Sequence, residues 1–143
     1  MTVKTKKRFK RDDKWLLSRL DCIWNEYFTY VVQKNRVFIK FGRFAKYRLG
    51  SVRLNRKNQD TYITITSMFR QESVPQAVVD QTIAHELVHY SHGFSSIHPK
   101  LHKYPHAGGV VRQEMRQRGM EHLYQAYRNW VKTYRRILMK RYV

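Results

Sequence analysis

Cysteine is nearly absent. Cys22 stands alone among 143 residues, which excludes an internal disulfide, a Cys-x-x-Cys pair and a cysteine-built zinc ribbon. Its place within a helical apolar pattern predicts a small core residue, and a single thiol fits a reducing compartment. Long apolar runs are also missing, so no helix able to cross a bilayer is expected. No apolar run follows the basic start Met1–Arg8, so a secretory signal is not expected either. The expectation is a soluble, cytoplasmic protein. There are no internal repeats and no linker that would split the chain.

Carboxylates are scarce as well. Ten Asp and Glu face 29 Lys and Arg, a formal net charge of +19. A two-metal nuclease site draws on carboxylates and is disfavoured by this shortage. The same imbalance draws the chain towards polyanions, with nucleic acid (DNA ahead of RNA) or a ribosome-like surface before an anionic membrane.

What is present is globular: 42% hydrophobic and 14% aromatic residues, enough to build one core. Residues 1–11 read as a flexible basic arm, and residues 12–143 as a single domain. The arm holds Lys4, Lys6, Lys7, Arg8, Lys10 and Arg11, which are candidate phosphate contacts. Asp12 and Asp13 open a helix over about 13–32, with Leu16, Leu20, Ile23, Trp24, Tyr27 and Val31 at helical spacing. Residues 37–41, 50–54 and 61–66 read as strands, with turn residues at 55–60, and predict a small, mostly antiparallel sheet.

Ser73–Gln76 has the form of a capping box with Pro75 in the first turn. It launches a helix over about 74–91 that is apolar on nearly every side, as expected of one buried at the centre of its domain. A His-, Ser- and Pro-rich loop covers 92–107. A short helix follows over 110–118, broken by Gly119, and a last helix runs from about 120 to 141. Tyr127, Trp130 and Tyr134 lie on the apolar stripe of that last helix and are expected in the core. Arg128, Lys132, Arg135 and Arg136 form its cationic face, a second candidate nucleic-acid surface.

Within the buried helix stands His85-Glu86-Leu87-Val88-His89. Residues four apart lie one turn apart on one face, so both imidazoles can reach one ion. Glu86 is placed to take a proton from a metal-bound water and pass it on. Two His and one Glu on an apolar helix would each cost about 1–3 kcal/mol if left without partners, and a metal ion supplies the compensation. One zinc per chain is expected. The candidates for a third ligand are His92, His98, His102, His106, Glu114 and Glu121. His92 would lie two turns from His85, about 10.5 Å along a continued helix, too far to share the ion. The metzincin pattern fails, because His92 and Ser95 stand where it needs Gly and His. His106 is preferred, since it ends a loop long enough to fold back and precedes the small residues Ala107-Gly108-Gly109. Glu114 is the runner-up. His98, His102 and His122 read as ordinary loop or surface histidines.

The order of parts over about residues 12–120 resembles the SprT-like zinc metalloprotease domain. The likeness rests on the leading helix, the strands around Leu49–Leu54 and Tyr62–Ile65, the Val74-Pro75 entry, the His85–His89 motif, and His106-Ala107-Gly108. The family has Gly directly after the third His, where this chain has Ala107. The resemblance implies an α+β, zincin-like fold, His85, His89 and His106 as zinc ligands, and Glu86 as catalytic acid and base. Spartan-type members of that family cleave proteins attached to DNA, in keeping with the positive charge. The expected function is therefore a zinc metallopeptidase acting on nucleic-acid-associated proteins. The alternative is a nonenzymatic nucleic-acid- or ribosome-binding protein with a structural zinc, closed by Glu114 as fourth ligand.

Overall fold

The computed structural model describes residues 10–93, 96, 98–100 and 109–141, with the backbone alone at 135 and 138–141. Its element order is α1 (Asp13–Tyr27), β1 (Val37–Phe41), β2 (Gly50–Leu54), β3 (Thr61–Ile65), a 3-10 turn at Ser67–Arg70, α2 (Gln76–Ser91), α3 (Val110–Gln117) and α4 (Glu121–Arg141). The class is α+β, as expected. No helix among the described residues is long and apolar enough to cross a membrane.

The three strands form one sheet in the order β1-β3-β2. β2 and β3 are antiparallel, with Val52 opposite Ile63, and the turn between them is held by the Asn55 side chain, which accepts the N–H groups of Lys57 and Asn58. β1 pairs with β3 in parallel, Ile39 opposite Ile63. The sheet is thus mixed, not mostly antiparallel. Residues 42–49 carry the chain past the place beside β1 that β3 later fills. Alternation within each strand then sorts the side chains: Ile39, Val52, Ile63 and Ile65 are buried, whereas Phe38, Lys40 and Arg53 lie on the exposed face.

α2 is the central element. Of its 16 residues, 12 are buried, and it touches α1, α3, α4, β2 and β3. That matches a helix apolar all round. Its entry departs from expectation. Pro75 is the N-cap and no side chain caps the helix, so the capping box at Ser73–Gln76 does not form. The fixed φ of Pro75, −58°, sets the start instead.

α1 does begin as read, with the Asp12 side chain accepting Trp15 N–H at 2.8 Å. It stops at Tyr27, five residues before the expected end. Trp24 Nε1 donates to the Val31 carbonyl at 3.0 Å, so Val31 reaches the core by a turn back on the helix. Cys22 is exposed rather than in the core, because Leu16, Leu20 and Ile23 are the residues of α1 that face inward. Arg11 belongs to the fold and not to the arm. It is 8% exposed, donates to the carbonyls of Phe69 and Gln71 at 3.0 and 3.1 Å, and lies over the Trp15 ring. It is therefore withdrawn as a phosphate contact. Lys4, Lys6, Lys7 and Arg8 lie outside the described residues, and Lys10 is exposed.

Along α4, Leu123 is buried and Tyr127, Trp130 and Tyr134 pack on the core as expected, with Trp130 edge-on to Phe69. Arg128, Lys132 and Arg136 are exposed; the Arg135 side chain is outside the described set.

One ion pair fastens α1 to α2. Arg19 grips both oxygens of buried Asp80, each at 2.9 Å. Removing the guanidinium strands a buried carboxylate. Arg19→Ala should lower unfolding free energy by about 1–3 kcal/mol in urea titration.

Candidate metal centre

α2 places three polar side chains where its apolar neighbours meet β2 and α3. His85 and His89, one turn apart, turn their Nε2 atoms towards each other at 3.1 Å, with rings 74° apart in plane. Two nitrogen ligands at about 2.0–2.1 Å on a tetrahedral zinc would stand about 3.3–3.4 Å apart. The pair is therefore spaced as two ligands of one ion would be, which is the test that a zinc reading has to pass. His89 is 1% exposed and Glu86 is 6% exposed.

These residues open into a cleft of about 580 Å³. Its walls are the loop at Tyr47 and Arg48, the start of β2, the first turn of α3, and Tyr124 and Tyr127 from α4. Burial pushes the Glu86 carboxyl up to about 7, opposed only in part by the charge of Arg48. A carboxyl near neutrality is suited to take and return a proton.

Gly50 shapes the cleft wall. A Cβ at that position would lie 2.8 Å from Thr82 Cγ2 and 3.2 Å from Glu86 Oε1. The bare backbone thus lets β2 come up against α2 at the carboxylate. A glycine inside a strand signals such an approach, so the sequence did carry a clue to Gly50. Arg48 carried none, because its nearness to Glu86 depends on how the chain folds back over α2.

The other candidate ligands are employed elsewhere. Glu114 meets His92 Nε2 and Arg118 Nη2, each at 3.3 Å, and Arg118 in turn donates to the Tyr27 carbonyl. His98 donates from Nε2 to the Val32 carbonyl at 2.6 Å. Glu121 pairs with Arg112 and Arg116. His122 is exposed. Among the described residues no third His, Cys, Asp or Glu joins His85 and His89. The preferred third ligand, His106, lies outside the described residues, as does His102.

No family model matches the chain, and no curated protein or solved structure matches it.

Gly50→Ala should force Thr82 and Glu86 aside at a cost of about 1–3 kcal/mol in stability. The two histidines are untouched by that change. Urea unfolding reads the loss, and full stability in this variant would refute the close approach.

Proposed function

We propose that the chain is a zinc-dependent metallopeptidase of the SprT-like kind, acting on proteins associated with nucleic acid. The observation that carries this reading is the convergence of His85 and His89 at 3.1 Å beside the buried carboxyl of Glu86, in a cleft large enough for a side chain of a substrate. His85 and His89 would hold the ion, with His106 as the third ligand. Bound there, zinc would supply a Lewis acid and an acidified water.

Glu86 accepts a proton at its carboxylate and delivers it to the departing amine. Its burial keeps bulk water from competing for that proton, and Gly50 leaves room for the carboxylate beside β2. Arg48 adds a positive charge on the same side of the cleft. The competing reading, a structural zinc in a binding protein, needs a fourth ligand. Glu114 was its candidate, and that carboxylate is engaged by His92 and Arg118. The substrate class is supported by the net charge of +19, which favours encounters with nucleoprotein.

Metal analysis should give about one zinc per chain, as expected of a single mononuclear site. His85→Ala and His89→Ala should each lose the metal, and His106→Ala should weaken its binding strongly. Glu86→Gln should keep zinc and fold yet lose about 10²–10⁴-fold in turnover, because an amide accepts no proton at neutral pH. The assay is cleavage of a DNA-bound basic protein, with and without chelator. Undiminished cleavage by Glu86→Gln would overturn the assignment.

A further inference from the structure

The face of the sheet turned away from the helices is built unlike an ordinary solvated surface. Across the three strands, Phe38, Tyr62 and Arg53 form one row by register. Phe38 and Tyr62 stack with ring centroids 5.5 Å apart and planes within 19°. Phe38 is 45% exposed. Arg53 lies over the Tyr62 ring at 5.4 Å. A second row sets Lys40 beside Thr64 and Ser51. An exposed Phe38 on a half-buried Tyr62 leaves apolar surface in water and adds little to a core on the other side.

This face runs into a groove of about 780 Å³ at the β2 edge. Arg43, Arg48, Arg53, Arg56 and Lys100 line it, together with hydroxyls from Ser51 and Thr64. Among its described lining residues there is no carboxylate. Arg36, which lies over the Phe38 ring at 5.9 Å, is paired with buried Asp60 at 3.2 Å. The loop from β1 to β2 then alternates cations with exposed rings: Phe44 is 55% exposed and Tyr47 88%. Tyr47 and Arg48 also form part of the wall of the metal cleft.

Stacked rings, arginines over them and a groove whose described lining is cationic are the features that hold unpaired bases and their phosphates together. A duplex hides its base faces, so it could use the cations but not the rings. We propose that the sheet face and the groove beside it bind single-stranded nucleic acid, bases against Phe38 and Tyr62 and phosphates along Arg53, Arg43 and Arg56. The strand would then lead along the 42–49 loop to the mouth of the metal cleft. The proposal deepens the nucleic-acid part of the function above and rests on that part, not on the zinc.

The test is fluorescence anisotropy of the full chain with a labelled twelve-residue oligothymidylate, an oligouridylate, a duplex of equal length, and an abasic strand. All are run with and without chelator, so that binding is read apart from hydrolysis. Phe38→Ala should weaken oligothymidylate binding about 5- to 100-fold, the range of one lost base stack, and leave the abasic strand unaffected. Phe38→Leu keeps apolar bulk for the fold and should show the same loss. Replacing Arg43, Arg53 and Arg56 by Gln should weaken both strands and reduce the slope of log affinity against log salt by about 0.7 per lost contact. Equal affinity of parent and both Phe38 variants for oligothymidylate, tighter binding of duplex than of single strands, or no binding by the parent would each overturn the proposal. Tight binding with no peptidase activity would leave it standing and remove only the hydrolytic reading.

Discussion

The burial of α2 on all sides is the constraint from which the rest follows. A helix that touches five other helices and strands at once can carry polar side chains only where each finds a partner, because stranded polar groups cost about 1–3 kcal/mol apiece. Asp80 finds Arg19. His92 finds Glu114. His85 and His89 turn to each other across one helical turn. Thr82 donates to the Val78 carbonyl and Gln81 to the Met115 sulfur. Glu86 lies against the backbone of Gly50 and stays inclined to hold its proton up to about neutral pH. The helix is therefore a packed scaffold and a chemical site at once, and the two roles share the same four turns.

How far the sequence foretold this depends on the range over which each interaction acts. The His85–His89 spacing is a property of four consecutive residues, so it needed no knowledge of the fold. Strand positions were legible for the same reason, since Thr61–Ile65 alternates in burial as its side chains alternate in the sequence. The partner of each strand was not legible. The turn chemistry at Asn55–Asp60 gave the β2–β3 hairpin, but nothing local to Val37–Phe41 says that β1 will lie parallel to β3. The apolar side chain of Val31 fits a helical period, yet the helix closes with Phe28 N–H on the Trp24 carbonyl, and the Trp24 side chain then holds the Val31 carbonyl beyond its end.

Charge was the least legible quantity of all. Arg11 sits at the end of a run of cations and looks like one more of them, yet it spends its donors on two backbone carbonyls. Arg118 does likewise, lying over Phe28 and reaching Tyr27. Arg53, unremarkable in sequence, lies over the half-buried Tyr62. A net charge says that a polyanion is welcome. Which guanidinium groups are left to receive it is decided by tertiary neighbours.

The cleft at Glu86 is shared between segments far apart in the chain. Glu86 stands on α2, and Gly50 and Arg48 come from residues made well before it. A chain with α2 formed but β2 unpaired would own the histidine pair and lack the wall beside it. The buried setting of Glu86, on this arrangement, belongs to the completed fold alone: the helix by itself carries the two histidines but not the neighbours that push the carboxyl up.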